Sequence, residues 1–159
     1  MRVTDQYFWN VIFALFFLTL VIMGAIILDG EAYKAYNNLT LTDFVLMTLA
    51  TFRLTRLVVY DKIMAFFREQ FWDARVLKTK VELVKPEGGP RRTLAELLSC
   101  VWCFGLWASG MVIFFYLLTP YAFFPILVLA LAGVGTLLQL TANLVGWKAE
   151  LLKEDVKQR

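Results

Sequence analysis

Long apolar runs alternate with short polar stretches along this chain, and four of the runs have the length of membrane helices. The first covers residues 7–28 without a charged side chain, and the others cover 42–60, 97–118 and 123–147. A helix rises about 1.5 Å per residue, so about 20 apolar residues cross the hydrocarbon core of a bilayer. The pattern therefore predicts an all-α membrane protein with four transmembrane helices.

The first apolar run has a secretory signal peptide as its alternative interpretation. A signal peptide has an apolar region of about 7–15 residues, followed by a cleavage site between small residues. The run at 7–28 is longer, and it ends in Ile26-Ile27-Leu28-Asp29, which differs from such a site. We therefore expect an uncleaved helix that stays in the protein.

Two capping boxes predict where helices begin. Thr40 and Asp43 have the spacing at which a threonine and an acidic residue bond to each other's backbone N–H groups at a helix start. Thr93 and Glu96 repeat this spacing, which predicts a helix from about Leu94 that continues into the third apolar run.

The 42–60 run differs from the other three because Arg53 and Arg56 interrupt it. Residues three apart share one face of a helix, so both guanidinium groups lie on the same side. A soluble amphipathic helix is the alternative. The neighbouring apolar runs and the lack of a wider polar face favour a membrane helix with a charged end.

The connecting segment at 61–96 mixes large apolar side chains with charged ones. Ile63, Phe67, Phe71 and Ala74 follow helical spacing, which is typical of an amphipathic helix lying in the membrane interface. A helical extension packed on other protein is the alternative. Further along, 81–84 has the composition of a short strand, and the proline and glycine residues of 86–90 predict a loop.

Composition agrees with a lipid environment. The chain is 60% hydrophobic and 18% charged, with a mean hydropathy of +0.65. Soluble domains are typically about 45–50% apolar and about 25% charged. The net charge of +3 is too small to indicate nucleic-acid binding, and the absence of histidine excludes imidazole catalysis and histidine-ligated metals for this chain alone.

Basic residues predict the orientation, because they concentrate in cytoplasmic loops. The 61–96 segment holds eight and the 148–159 tail holds four, whereas the 29–43 link holds only Lys34 and the 119–122 link holds none. We expect a multi-pass protein of the bacterial inner membrane with both termini in the cytoplasm. The residues expected to contact anionic lipid headgroups or a partner are Lys62, Arg68, Arg75, Arg91 and Arg92.

Polar and thiol side chains in three of the runs fall at similar depth near the predicted cytoplasmic ends. They are Arg53, Arg56, Cys100, Cys103, Gln139 and Asn143. A charge in lipid costs about 2.5–3.5 kcal/mol even on the mildest scale, so such residues suggest a functional site. We hypothesise that both arginines turn inward toward the two amides and the cysteines. The alternative is that both extend toward lipid phosphates.

The two cysteines have three interpretations. They are small packing residues, ligands of a soft metal such as zinc, or a redox pair. Zinc usually takes four ligands, so a site here needs a second copy of the chain or a partner protein. The redox interpretation is opposed by a reducing cytoplasm and by the lack of a thioredoxin-like βαβ pattern. A structural disulfide within one helical turn is also geometrically poor.

Two segments together resemble a known family. Residues 49–57 read LATFRLTRL and 98–107 read LSCVWCFGLW. These segments are similar to the Ala-Thr-aromatic-Arg-Leu-x-Arg-Leu and Cys-Pro-Trp-Cys-x-Gly-x-Trp segments of the small membrane proteins called sporulation protein YjcA-like. The resemblance covers 42–118, with Val101 where the family usually has proline, and it implies no established activity. The motif positions it implies are Arg53, Arg56, Asp61, Cys100, Trp102, Cys103, Gly105 and Trp107.

The function expected from these observations is that of a non-enzymatic membrane scaffold or assembly subunit without a cofactor. Its expected partners are membrane lipid and a second copy or another membrane protein, and nucleic acid is not among them. The first alternative is a thiol or zinc site protein that uses Cys100 and Cys103. The second alternative is an oligomeric pore or a holin-like protein.

Overall fold

The structure is a computed structural model that describes residues 3–33, 38–77 and 80–158. Within these ranges the chain forms a helical bundle with one small hairpin. The helices are α1 (Val3–Glu31), α2 (Leu41–Val59), α3 (Ala65–Glu69), α4 (Pro90–Ser99), α5 (Val101–Leu118) and α6 (Phe123–Gln158). The antiparallel strands are β1 (Asp73–Leu77) and β2 (Lys80–Val84). Short 3₁₀ turns at Lys62–Met64 and Pro120–Ala122 precede α3 and α6.

Helices α1 and α5 lie side by side and run in the same direction. The ring of Phe17 lies 4.9 Å from that of Trp107, centroid to centroid. Further along both helices, a Cβ atom at Gly24 would lie 3.3 Å from the ring of Phe114. Residue numbers increase in the same direction along both helices, from the first contact to the second. The two helices are therefore parallel, and the chain must cross back between the end of α1 and the start of α5.

Helix α2 makes that return and runs antiparallel to α5. Asp43, near the start of α2, accepts a hydrogen bond from the hydroxyl of Tyr116, near the end of α5. Thr55, near the end of α2, lies beside Gly105, near the start of α5. We call the end of the bundle that holds Cys100 the cysteine end, and the end that holds Tyr116 the far end.

Helix α6 packs most closely on α2 at Gly133. A Cβ atom there would lie 2.6 Å from the carbonyl oxygen of Leu49, so only glycine allows this approach of the two backbones. Most of the core lies in the half of the bundle nearest the far end, which we call the far half, between α1, α2, α5 and α6. Its buried members are Leu28, Met47, Ala50, Val112, Tyr116, Leu117, Ile126 and Ala130.

Three segments are long and apolar enough to cross a membrane, at Gln6–Glu31, Val101–Leu118 and Pro120–Glu154. They correspond to the first, third and fourth of the predicted spans and make this a membrane-type all-α fold. Helix α2 does not meet the same criteria, because Asp43, Arg53 and Arg56 reduce its apolar character.

The capping box at Thr40 is confirmed, and the one at Thr93 is wrong. The Asp43 N–H donates to the Thr40 hydroxyl, and the Thr40 N–H donates to the Asp43 carboxylate at 2.8 Å. The later helix, α4, already begins at Pro90, one residue after Gly89. Its first turn therefore precedes Thr93, which lies inside the helix and cannot cap it.

The segment expected to form an interfacial helix is helical only in part. The 3₁₀ turn and α3 account for residues 62–69, but 73–77 form β1, so the helical spacing that included Ala74 is misleading. The strand predicted at 81–84 is confirmed as β2. The two strands pair from Asp73 with Val84 to Leu77 with Lys80, so each supplies backbone partners that a helix would otherwise provide internally.

Candidate functional site: a cysteine pair at a helix break

The third apolar run is interrupted at Cys100. This residue ends α4 and is the N-cap of α5, with an extended backbone at φ −105° and ψ 112°. The expectation of one continuous helix from Leu94 is therefore wrong at this position. Val101 is the first residue of α5, where the resembling family usually has proline. Proline favours that position, but the helix begins there without it.

The break brings the two thiols together. An N-cap side chain folds back over the first turn of its helix. The Cys100 Sγ does so, and it accepts a hydrogen bond from the Cys103 N–H at 3.2 Å. The Cα atoms lie 5.3 Å apart and the two Sγ atoms lie at disulfide-bonding distance. The geometric objection to a disulfide assumed that both cysteines were inside a helix, and Cys100 is not.

The cysteine pair is accessible from outside the chain. Cys103 is exposed, Cys100 is half-buried, and Trp102 between them is 89% exposed. Below them, Phe104 and Ala108 are buried on the inner face of α5. The break is therefore held by a packed helix face, while its thiols and one large aromatic ring face outward.

The motif arginine Arg53 is paired at the end of its own helix. Its Nη2 lies 2.9 Å from the Oδ2 of Asp61, with side chains 21% and 29% exposed. Arg68 donates to the carbonyl oxygens of Val58 and Asp61, which satisfies backbone groups left open at the end of α2. These two arginines hold the chain as it leaves α2.

Arg56 has a different environment one turn further along α2. Its guanidinium carbon lies 5.5 Å from the centroid of the Tyr60 ring. No carboxylate or carbonyl oxygen within the described ranges bonds to it. It lines a groove between α2 and α5 that also includes Trp102 and Gly105.

The two amides of α6 do not join the arginines. Gln139 donates to Asn143 at 3.0 Å, and both side chains are exposed. The described residues contain no hydrogen bond between this pair and Arg53 or Arg56. The hypothesis of one inward-facing polar layer is therefore not supported for Gln139 and Asn143, which point away from the bundle.

Several basic residues expected to contact lipid are bonded within the connecting segment. Arg91 pairs with Asp73 at 2.9 Å and donates to two backbone carbonyls, and Arg92 pairs with Glu96 at 2.8 Å. Lys62 is exposed. Some basic positions lie outside what the structure describes: Lys34 and Lys78 entirely, and the side chains of Arg75 and Lys80.

Gly105 and Trp107 are packing positions of α5. A Cβ atom at Gly105 would lie 3.8 Å from the Thr55 hydroxyl, so α2 passes close to this point. Trp107 lies against the rings of Phe16 and Phe17 on α1. The cysteine motif therefore joins a thiol pair to residues that place α5 between α1 and α2.

Comparison with known proteins identifies the family to which the chain belongs. A family described as protein of unknown function (DUF1360) matches residues 46–142. The chain belongs to the DUF1360 family. The match begins within α2 and ends within α6, so it includes the arginine segment, the connecting segment and the cysteine break.

Two relatives of the DUF1360 chain come from Bacillus subtilis (strain 168). Sporulation protein YjcA is 38% identical over 109 residues, which cover 65% of this chain and 90% of the relative. UPF0713 protein YngL is 33% identical over 113 residues, which cover 70% of this chain and 86% of the relative. No solved structure matches the chain.

A metal site within one DUF1360 chain would have few ligands. No group of three or more cysteine, histidine, aspartate or glutamate residues occurs in the parts of the chain that the structure describes. Cys100 and Cys103 alone supply two thiolates, and zinc usually takes four ligands. A zinc site would therefore join two chains.

Sequence reasoning missed a polar contact and one buried hydroxyl. The Thr93 hydroxyl bonds to Gln6 at 2.9 Å and to Asn10 at 3.2 Å, which ties α4 to the start of α1. Thr55 is buried, and its hydroxyl has no partner among the described residues. The feature of the sequence that could have indicated Thr55 is its position between the two motif arginines, Arg53 and Arg56.

Proposed function

We propose that this DUF1360 protein is a four-span membrane protein whose cysteine pair is a reversible dithiol–disulfide site at the cytoplasmic face. The single observation that carries the proposal is the position of Cys100 as N-cap of α5, which brings its Sγ to Cys103. A disulfide in a reducing compartment is usually transient, catalytic or redox-sensing rather than structural.

The four-span arrangement is supported by the direction of the helices. Because α1 and α5 run in parallel, the chain must cross back between them, and α2 is the element that returns. Two of the three charges of α2 are compensated: Arg53 pairs with Asp61, and Asp43 accepts a hydrogen bond from Tyr116. Compensation lowers the free-energy cost of placing these groups in lipid.

The contact between Thr93 and Gln6 supports the sidedness. It places the start of α1 beside the basic 61–96 segment, so both lie at the cysteine end. Because basic loops mark the cytoplasm, we assign the cysteine end and both termini to that side.

The chemistry we propose is thiol–disulfide exchange with a disulfide in another protein or in a small thiol. The positive end of the α5 dipole and the Cys103 N–H favour a thiolate at Cys100. That thiolate attacks the partner's disulfide, forming a mixed disulfide and releasing one partner sulfur. Cys103 then attacks Cys100, so the partner's second sulfur leaves. The partner gains two electrons and two protons, and the cysteine pair loses them.

Redox titration with thiol counting tests this proposal. Protein in membranes is equilibrated in buffers of reduced and oxidised glutathione, quenched with acid and labelled with a maleimide that adds mass. We expect both thiols to disappear together in one reversible step. In Cys103→Ser, we expect Cys100 to remain trapped as a mixed disulfide with glutathione.

Two other results would reject the redox site. If both thiols react with the label in every buffer, the cysteines only pack. If the purified protein contains one zinc per two chains, and the Cys100→Ser, Cys103→Ser double variant contains none, the pair is a metal site between two copies.

A second candidate function, an assembly subunit, is favoured by the exposed amide pair of α6. Polar side chains are expensive in lipid, whereas between transmembrane helices they form hydrogen bonds that hold the helices together. Gly135 and Gly146, each about one turn from the pair on either side, have open space around them. We propose that a second copy or another membrane protein covers this face.

Crosslinking in membranes tests the assembly role. A cysteine introduced at Leu138 in a Cys100→Ser, Cys103→Ser background should form a crosslinked dimer with a bifunctional reagent. Gln139→Leu with Asn143→Leu should abolish that product. Thr141→Val is the matched control, because the Thr141 hydroxyl bonds to the Leu137 carbonyl of its own helix. Equal crosslinking in all variants would reject an interface at the amides.

A further inference from the structure

We propose that the groove between α2 and α5, which we call the α2–α5 groove, binds one anionic phospholipid whose phosphate lies against Arg56. The groove has a volume of about 430 Å³ and runs between Phe52 and Tyr60 on α2 and between Val101 and Ser109 on α5. The proposal rests on the four-span arrangement proposed above and is independent of the thiol chemistry.

Charge is the first argument for an anionic ligand. Arg53 and Arg56 belong to the same helix, but Arg53 has Asp61 as its partner. Within the described residues Arg56 has the Tyr60 ring beside it and no anionic group. A guanidinium group in a low-dielectric environment is stabilised by an anion, and arginine binds phosphate through two parallel hydrogen bonds.

The second argument, which does not depend on Arg56, is the buried hydroxyl of Thr55. Thr55 is one of the residues that line the groove. Thr55 is only 6% exposed, and its Oγ1 has no hydrogen-bond partner among the described residues. Four other helical threonines bond to the carbonyl oxygen four residues earlier. They are Thr19, Thr48, Thr136 and Thr141. The Thr55 hydroxyl is therefore a donor that a phosphate or ester oxygen in the groove can use.

The third argument is the order of polar and apolar residues along the groove. Tyr60 and Trp102 lie at the ends of their helices nearest the cysteine end, where tyrosine and tryptophan favour the interface. Phe52 and Leu106 lie deeper. Eight residues separate positions 52 and 60, so the wall on α2 extends ~12 Å into the membrane. This order fits a lipid headgroup with the start of an acyl chain, rather than a free phosphate ion.

The size of the groove depends on Gly105. A Cβ atom at this position would make only ordinary van der Waals contact with Thr55, at 3.8 Å. Gly105 lines the groove, so a larger side chain there would take up space in which we propose that the acyl chain lies. Gly105→Ala therefore keeps the packing of α2 on α5, whereas Gly105→Leu fills the groove.

Native mass spectrometry of the full-length protein tests the proposal. Protein purified in detergent is titrated with phosphatidylglycerol, with phosphatidylcholine or with inorganic phosphate. We expect one phosphatidylglycerol to bind at least about tenfold more tightly than phosphatidylcholine. We expect millimolar inorganic phosphate not to displace it. Equal binding of the two lipids would overturn the proposal, and displacement by phosphate would reassign the groove to a free anion.

Variants locate the lipid. Arg56→Gln should remove the preference for phosphatidylglycerol, and Thr55→Val should weaken binding severalfold while keeping the side chain's shape. Lys148→Gln is the matched control, because it removes one exposed positive charge from α6 at the same end of the bundle. If Lys148→Gln and Arg56→Gln weaken binding equally, the lipid is held by surface charge and the proposal fails.

Two further samples separate this proposal from folding and from the redox site. If Arg56→Gln does not fold, Arg56→Lys takes its place. This variant keeps the charge but loses the paired hydrogen bonds, so its preference for phosphatidylglycerol should be intermediate. The Cys100→Ser, Cys103→Ser variant should bind phosphatidylglycerol as the unmodified protein does. Loss of lipid in that variant would place the lipid at the cysteines and reject the groove.

Discussion

The far half of the bundle and its cysteine end are built differently. In the far half, side chains of four helices form one closed cluster around Leu117, which is fully buried. At the cysteine end α2, α4 and α5 enclose only a smaller buried cluster, the α2–α5 groove lies beside it, and α6 is exposed from Leu137 onward among the side chains described. Packing at the far half can hold the fold while the cysteine end keeps groups available for chemistry and binding.

The arginine and threonine pairs show the same difference on a smaller scale. Thr48 is in the far half and bonds to its own helix, whereas Thr55, two turns later, has no partner among the described residues. Arg53 is neutralised by Asp61, and Arg56 lines the groove. Incomplete pairing is therefore a feature of the cysteine end, where Gln6 and Trp72 also carry buried polar atoms without a hydrogen-bond partner among the described residues.

The largest expected effect comes from Leu117→Ala. Removing a fully buried leucine leaves a cavity, and we expect the free energy of unfolding to fall by about 2–5 kcal/mol. Leu138→Ala is the matched control on the exposed part of α6, where the side chain is 66% exposed, and it should change stability by less than about 0.5 kcal/mol. Thermal unfolding in one detergent compares the two. Equal losses would mean that the halves do not differ.

The next effect is that of Gly133→Ala, which should destabilise the protein by about 1–3 kcal/mol because the new Cβ meets the Leu49 carbonyl oxygen. Gly135→Ala lies in the same helix with open space around it and should be neutral or slightly stabilising, since alanine favours helices. Unfolding midpoints of the two variants check this. A neutral Gly133→Ala would show that α2 and α6 are not in close contact.

A smaller effect is expected from Asp61→Asn, which leaves the half-buried Arg53 without its ion pair. We expect a loss of about 1–2 kcal/mol, below the value for fully buried pairs because both side chains are partly exposed. Arg56→Gln should leave stability unchanged in lipid-free detergent. If Arg56→Gln destabilises the protein as much as Asp61→Asn does, Arg56 has a structural partner and the contrast between the arginines is wrong.

The smallest effect on stability is expected from Cys103→Ser under reducing conditions, at less than about 0.5 kcal/mol, because the side chain is exposed. The same substitution should abolish the paired loss of thiols in glutathione buffers. Unfolding and thiol counting on one sample separate the two roles. A large loss of stability without a redox change would make the cysteines packing residues.

Local sequence patterns predicted some features correctly and failed at others for identifiable reasons. The Thr40–Asp43 cap forms as predicted because it involves only residues three apart. The Thr93–Glu96 cap fails because Pro90 starts the helix a turn earlier, and Thr93 bonds instead to α1. The continuous helix through Cys100 fails because apolar periodicity cannot distinguish an unbroken helix from two helices separated by one extended residue.

The sequence by itself determined the lipid-compatible helices, the position of the charged groups along the chain and the spacing of the cysteines, because each depends on neighbours in the chain. Only the tertiary structure decided that Arg53 pairs with Asp61 while Arg56 lines a groove, that Gln139 and Asn143 face outward, and that the thiols meet. Those outcomes depend on how α2, α5 and α6 approach one another, and helix spacing is set by distant residues such as Gly133 that no local pattern connects.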